Sequence, residues 1–457
     1  MSYTSMTFLY FFLPVFLGIY FLAKPRLRAA LLALGSCAVI ASAEPAGLIP
    51  LATCLMTAYL CGLGIGKLRE SSKAASAFLL MLCILAEGSG AVLFCTLQGS
   101  QIKLFTAVGA GIYTLHSAAY CFEVRRGTID AVKDPIRLLA YIAFLPSLNG
   151  IPLADPKKLL PELKAPVMEI SKVSDGILMM LLGITEKVVI SDRLSLLFYD
   201  MQESSSGSIS LLMSWLGAFI FAAALFCRLK GYARIAVGFS LMLGFELPAS
   251  FDHPYSKATL RDYLGSFNIS AYRFVQSYVF GPIAGNESSQ FRTLSASAIS
   301  IIVLCISYRP SVVFLIWGVS AALLIIIEML LDHRLAHIPS PIRYIITHML
   351  TLIGWAFVSQ SSTELSLEYV SHMFTGAMLL DSAPLLYFLK TAIPSVVLLA
   401  VIESPLTGSL IKRIKEKNIT ALLIIKPILT FALLIVCTVF LLSSEGGAAL
   451  LGEGGMI

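Results

Sequence analysis

The sequence predicts an all-α polytopic membrane protein, and composition, hydropathy and segment length all support this fold class. Of its 457 residues, 57% are hydrophobic and only 13% are charged, about half of the charged fraction that a soluble domain carries. The mean hydropathy is +0.85, which is too high for a disordered chain. About eleven stretches approach the ~20 apolar residues that a membrane-spanning helix needs. The length therefore fits one helical bundle rather than several soluble domains.

The basic residues predict how the spans are oriented. The first apolar stretch, 6–22, has neither a basic segment before it nor a cleavage site after it, so we interpret it as a retained span. Basic residues cluster after the first, third and fifth stretches and are nearly absent after the second and fourth. The positive-inside rule therefore places the loops 24–28, 67–73 and 123–137 in the cytoplasm and the N-terminus outside. The basic segment 412–417 precedes the last span, so the tail at 446–455 is expected outside.

Two regions interrupt this pattern of simple spans. Proline and glycine break the apolar runs within 138–193, and a second broken region covers 251–286. Irregular backbone at membrane depth is tolerated only where it is buried in protein or lines an aqueous cavity. We therefore expect re-entrant or interfacial helices around an internal site. No internal repeat is visible, which argues against an inverted-repeat transporter.

Charge and cysteine usage narrow the class of function. The net charge of +6 is spread over short loops, which argues against nucleic-acid binding. The nine cysteines lie in or beside apolar stretches without CxxC spacing, so we interpret them as packing residues. Neither an HExxH motif nor a cluster of carboxylates is present, and we predict no metal site.

A collinear set of motifs runs from about Phe8 to Gly376. It comprises the opening segment 8–17, the stretch 120–127, the proline-rich segment 144–163, the helices 183–194 and 231–255, and the pairs Trp317-Gly318 and Gly354-Trp355. Together these motifs resemble the membrane-bound O-acyltransferase (MBOAT) family, in the bacterial branch of alginate O-acetylation and teichoic acid D-alanyl transfer. The resemblance implies a single membrane domain over 1–457, with C-terminal spans in 377–457 and a central tunnel.

The resemblance also selects two residues for the reaction centre. Counting back from Trp317, the position of the family's catalytic histidine is Tyr308, and that of its partner is Asn268. A further family histidine corresponds to Ala321. Because the unperturbed pKa is about 10 for tyrosine and about 6.5 for histidine, a phenolate base would need strong stabilisation. Two interpretations stay open: Tyr308 is a base assisted by nearby cations, or it is an ordinary buried tyrosine.

An acidic stretch of the family corresponds to a basic one here. Arg228 and Arg234 stand at the positions of its two acids, and Lys230 between them adds a third cation. With Ser307 and Arg309, they are predicted to line the tunnel and to favour an anionic group of a substrate.

Four other polar residues, His116, His253, Glu87 and Glu328, are not assigned to the reaction centre by the resemblance. We expect His116 to make a hydrogen bond between helices. His253, oriented by Asp252, is a weaker candidate base that lies near a surface. Glu87 faces either a cavity or the outer surface, and Glu328 is expected to form an interfacial salt bridge.

The resemblance thus predicts a membrane O-acyltransferase homologue that acts on a cell-envelope glycan or on a lipid-linked or secreted acceptor, with a diverged or degenerate catalytic centre. Its acyl donor is expected to be acetyl-CoA or an acyl-carrier thioester, with no resident cofactor. The expected location is a bacterial cytoplasmic membrane, and the expected partners are the lipid bilayer and an acyl donor protein or extracytoplasmic acyltransferase. Two alternatives remain: an inert pseudoenzyme that binds an acyl donor, lipid or partner, and a transporter or flippase for lipid-linked material.

Overall fold

The computed structural model describes residues 3–98, 104–204, 209–285, 289–309, 311–335, 337–375, 382–403 and 419–451. Within these ranges all regular structure is helical, and nine of the described helices are long and apolar enough to cross a membrane. The predicted fold class is therefore confirmed, whereas the count of eleven spans stays a prediction. The basic segment 412–417 and the end of the predicted outer tail lie outside the described residues.

The α-helices are numbered in chain order. They are α1 Leu13–Leu22, α2 Pro25–Ala43, α3 Leu48–Leu68, α4 Lys73–Gln98, α5 Leu104–Arg126, α6 Pro135–Ile142, α7 Pro156–Glu162, α8 Ile170–Ile184, α9 Asp192–Ser204, α10 Leu211–Met242, α11 Leu260–Phe267, α12 Ile269–Val275, α13 Gly281–Ala284, α14 Gln290–Tyr308, α15 Val312–Leu335, α16 Ser340–Val358, α17 Thr363–Thr375, α18 Ser382–Glu403 and α19 Ile419–Leu451. Wider π-helical turns at Phe8–Phe12, Thr185–Ser191 and Gln276–Phe280 continue into these helices.

The chain divides into two compact units, the first formed by Met1–Met180 and Ala233–Ala249. Its aromatic core is built around Phe239, whose ring centroid lies 5.9 Å from that of Phe8 and 6.4 Å from that of Phe16. Helices α8 and α10 touch through their backbones: a Cβ on Gly238 would lie 2.5 Å from the carbonyl oxygen of Gly176. These two glycines therefore allow the close approach of the helices.

Two of the basic loops lie at the same end of the first unit. A guanidinium nitrogen of Arg69, after α3, lies 3.2 Å from a carboxylate oxygen of Asp130, after α5. The same side chain points towards the carbonyl oxygens of Val124 and Ile129, each 3.4 Å away. The predicted assignment of both loops to one face is consistent with these contacts.

The two broken regions consist of short helices with defined starts. In the first region, Asp134 accepts a hydrogen bond from the backbone N–H of Ile136 at 3.0 Å, and Asp155 accepts one from that of Lys157 at 2.9 Å. Each cap is followed by a proline at the first helical position, where the missing N–H costs nothing. In the second region Thr259 caps α11 in the same way. Such caps satisfy the free backbone N–H groups at helix starts.

The second unit is formed by Leu181–Tyr232 and Ser250–Ile457. Helices α14 and α15 approach closely at Gly318, where a Cβ would lie 3.0 Å from that of Cys305. Three aromatic side chains form the centre of this packing: Trp355 lies 5.0 Å from Trp317 and 5.1 Å from Phe267, centroid to centroid. The short helices α11 and α12 thus pack beside the long helices α14, α15 and α16.

Candidate active site

Asn268 occupies the junction between α11 and α12 and is buried. Its side-chain oxygen accepts hydrogen bonds from the backbone N–H of Ala271 at 3.2 Å and from the hydroxyl of Ser270 at 3.1 Å. Because the oxygen is engaged twice, the amide nitrogen points away from α12 and remains available as a donor. Asn268 is thus both a helix cap and an oriented polar group.

Tyr308 is the last residue of α14 and is half-buried. Its hydroxyl faces the side chain of Asn268. The two positions that motif spacing selects are therefore brought together in the fold. The other polar groups that act on this hydroxyl are Cys305 and Tyr263, and neither carries a positive charge.

The predicted cations do not gather around Tyr308. Lys230 is buried with its ammonium 5.3 Å from the ring centroid of Phe226, and Arg228 donates to the hydroxyl of Ser195 at 3.2 Å. Arg234 lies further along α10, in the first unit.

The residues on either side of Tyr308 point outward. Ser307 is exposed and donates to the carbonyl of Leu304 at 2.7 Å within its own helix. Arg309 is also exposed and has no ionic partner among the described residues. The structure therefore brings together Tyr308 and Asn268, whereas no cation among the described residues acts on the phenol.

Tyr263 is an important residue that the motif analysis missed. Its oxygen accepts a hydrogen bond from the indole N–H of Trp355 at 2.9 Å, and its hydroxyl also lies beside that of Tyr255. Burial raises the pKa of Tyr263 above its ordinary value, so the phenol keeps its proton. The pairs Trp317-Gly318 and Gly354-Trp355 were visible as motifs, but they did not indicate that Tyr263 is a partner, because this contact joins distant parts of the sequence.

A cavity of about 250 Å³ lies beside this tyrosine, between α11, α15, α16 and α17. Aromatic and aliphatic side chains form most of its wall. Tyr263, Trp317 and Trp355 contribute the large rings, and Ala321 is also part of the lining. Ala321, the position that the resemblance assigns to a family histidine, adds only a small side chain to the wall.

His116 and Glu87 are both buried polar residues with hydrogen-bond partners in the first unit. His116 links helices as expected, since its ring nitrogens lie 2.9 Å from the carbonyl of Ile142 and 3.1 Å from the backbone N–H of Ala154. Glu87 is buried inside the first unit, where it accepts hydrogen bonds from Thr57 at 2.7 Å and from Ser117.

Two of the other expectations need correction. The salt bridge expected for Glu328 is wrong: its carboxylate accepts a hydrogen bond from the backbone N–H of Arg261 at 3.3 Å, at the start of α11. An acid at this place complements the free N–H groups of a helix start. Asp252 pairs with Lys257 at 3.0 Å rather than orienting His253, which is exposed as expected.

The described cysteines are packing residues of the helical bundle. The eight cysteines whose side chains the structure describes are free thiols, and most of them are buried, which agrees with a packing role. Cys95 lies outside the described side chains. In the described part of the chain, histidine, cysteine and acidic residues form no group that could hold a metal ion.

The chain is similar in sequence to curated bacterial proteins that are named for acyl transfer. A protein of Pseudomonas aeruginosa named probable alginate O-acetylase is 27% identical over 395 residues, which cover 82% of this chain and 75% of that protein. The chain is therefore similar to this protein over most of its length. This finding confirms the resemblance to the bacterial acyltransferase branch of the MBOAT family. No family model matches the chain.

Two further relatives match shorter regions of this chain. The peptidoglycan O-acetyltransferase of Helicobacter pylori is 22% identical over 240 residues, which cover 51% of this chain and 45% of that protein. The teichoic acid D-alanyltransferase of Bacillus subtilis is 25% identical over 181 residues, which cover 39% of this chain and 46% of that protein. All of these relatives are named for the transfer of an acyl group.

Proposed function

We propose that this protein is a membrane-bound O-acyltransferase that esterifies a glycan of the cell envelope. The similarity to the alginate O-acetylase over 82% of the chain carries the proposal. The helical membrane fold agrees with it, and so does the meeting of Tyr308 with Asn268 at the family's reaction centre. The acyl donor is a thioester supplied from the cytoplasm of a bacterium, and the acceptor is a hydroxyl group on the opposite face.

The reaction centre of such an enzyme would work without a histidine base. Transfer joins the donor's acyl carbon to the acceptor oxygen, breaks the carbon–sulfur bond of the thioester and moves the hydroxyl proton to the departing thiolate. Holding the two reactants in line lowers the barrier even where proton transfer is not assisted. The missing base costs about 10²–10⁴-fold in rate, so we expect a slow transferase.

The proposal is tested in the natural host. Deleting the gene should remove base-labile acyl esters from a purified envelope glycan, as measured by NMR and mass spectrometry of the released acids. A plasmid that carries the wild-type gene should restore them, whereas an empty plasmid should not. Unchanged ester content on every envelope glycan after deletion would contradict the proposal.

A second candidate is a homologue that holds the acyl donor for a partner enzyme without performing transfer itself. The surroundings of Tyr308 favour it, because the groups acting on its hydroxyl include no cation that would stabilise a phenolate. Deletion would remove the esters in this case too. The purified chain alone would then transfer no acyl group to the glycan, whereas membranes that contain the partner would.

A further inference from the structure

Glu87 is an acidic residue at membrane depth in the first unit. It belongs to the part of α4, 73–90, that is long and apolar enough to cross a membrane, and its side chain is 4% exposed. An ionisable residue at such a depth is costly and is expected to have a function unless a structural partner explains it. The candidate reaction centre does not include Glu87.

The hydrogen bonds that the described residues make to this carboxyl group all end on one oxygen. Oε1 accepts from the hydroxyl of Thr57 on α3 at 2.7 Å, from the hydroxyl of Ser117 on α5, and from the thiol of Cys83 at 3.4 Å. Oε2 is sealed from solvent and has no hydrogen-bond partner in the described part of the chain. A neutral carboxylic acid shows this pattern, because its carbonyl oxygen accepts while its hydroxyl oxygen carries the proton.

The contact with Thr57 supports the same protonation state. The hydroxyl oxygen of Thr57 lies 2.9 Å from the carbonyl oxygen of Thr53 as well as 2.7 Å from Oε1 of Glu87. The single proton of a hydroxyl serves only one of these two acceptors. When it serves the carbonyl oxygen, the short contact with Glu87 requires a proton on the acid.

No cation of the described residues accompanies this acid. The side chains that act on Glu87 are the neutral hydroxyl and thiol groups named above. Glu123, a second buried acid of the first unit, differs in this respect: it pairs with Arg126 at 3.0 Å and with Lys157 at 3.6 Å. Burial of a charge without a partner is so unfavourable that the group takes its neutral form.

We propose that Glu87 is a proton-binding site of the first unit, a carboxyl group that stays protonated at neutral pH and that apolar carbodiimides modify from the bilayer. The helix surface next to it is open, since a Cβ on Gly88 or Gly90 would meet no atom within 4 Å. The proposal does not depend on the proposed acyl transfer, because the residues of the candidate reaction centre take no part in it.

The modification needs no reactant besides the protonated acid and the carbodiimide. The acid proton moves to one carbodiimide nitrogen while a carboxyl oxygen bonds to the central carbon. The adduct then rearranges: the acyl carbon forms a bond to nitrogen, its bond to that oxygen breaks, and a stable N-acylurea remains. No atom leaves, and the first step consumes the acid proton, so the product reports where a protonated carboxyl lies.

The test treats the purified full-length wild type in nanodiscs with dicyclohexylcarbodiimide at neutral pH and maps adducts by peptide mass spectrometry. Glu87 should carry the N-acylurea, whereas Glu123, which is equally buried but paired with cations, should not. A water-soluble, cationic carbodiimide should leave Glu87 unmodified. An unmodified Glu87, or equal modification of the two acids, would overturn the proposal.

Infrared spectroscopy tests the protonation state without a reagent. The difference spectrum between the wild type and Glu87→Gln at neutral pH should contain the carbonyl band of a protonated acid. A carboxylate band in its place would contradict the proposal. The melting temperature of the variant checks its fold, and the labelling of the wild type decides the question if the variant does not fold.

A further arm of the labelling experiment distinguishes the proton from another small cation. Carbodiimide modification of Glu87 should proceed equally in sodium chloride and in choline chloride of the same ionic strength. Protection by sodium alone would show that the carboxylate binds a metal cation, and the assignment of a proton would be wrong.

Discussion

Tyr308 and Asn268, which were selected by motif spacing, face each other in the second unit. The sequence predicted their proximity because short motifs keep their order and spacing between homologues. It did not predict which charged groups surround the phenol. That depends on where the side chains of Arg228 and Lys230 lie around α10. Their position follows from packing between distant segments, and no Lys or Arg side chain of the described residues acts on the Tyr308 hydroxyl.

Substitution of Tyr308 tests its role at the level of a single residue. Tyr308→Phe should keep acyl transfer within about tenfold of the wild type, because it removes at most the value of one neutral hydrogen bond. Tyr308→His, with Asn268 retained, should not restore a fast reaction on its own, since Ala321 and the basic stretch of α10 also differ from the family. The assay is transfer from a labelled thioester by the purified chain in lipid vesicles.

The opposite result would identify Tyr308 as a general base. A loss of about 10²–10⁴-fold in Tyr308→Phe matches the contribution of such a group. Wild-type protein in the same vesicles, with heat-treated protein as the blank, provides the comparison.

At the level of elements, the contact between α8 and α10 depends on two glycines. A Cβ at Gly238 would lie 2.5 Å from the backbone oxygen of Gly176 and equally close to the nitrogen of Met180. Gly238→Ala should therefore force the helices apart and destabilise the first unit by about 1–3 kcal/mol. The melting temperature is measured with a thiol-reactive dye, which reports exposure of buried cysteines.

Gly88→Ala is the matched control for this prediction. Gly88 also lies in an apolar helix, but a Cβ there would meet no atom within 4 Å. Its replacement should leave stability unchanged or raise it slightly, because alanine is the better helix former. Equal melting temperatures for the Gly238→Ala and Gly88→Ala variants would show that the backbone contact does not limit stability.

Helix existence was easier to predict than the partners of individual side chains. Long apolar stretches predicted the spans, and prolines predicted where short helices replace them. For Glu328, the helix and the charge could be predicted from the sequence, but the hydrogen-bond partner could not. The start of α11 supplies backbone N–H groups at that point, and this could not be predicted from periodicity within α15.

For the whole molecule, the orientation in the membrane is still a prediction. Arg69 and Asp130 join two basic loops at one end of the first unit, and the positive-inside rule places that end in the cytoplasm. In a cysteine-free background, Glu70→Cys should react with an impermeant maleimide only after cells are permeabilised. Ser42→Cys, at the C-terminal end of α2 just before α3, should react in intact cells, and the reverse labelling would invert the topology.

The most direct test of acyl transfer uses inside-out membrane vesicles from the gene-deleted host. A radiolabelled acyl thioester is added from the cytoplasmic face, and base-labile label is counted in the purified envelope glycan. Vesicles that carry the plasmid-borne wild-type protein should accumulate label with time, whereas vesicles with the empty plasmid should not. Equal labelling in the two preparations would contradict the account.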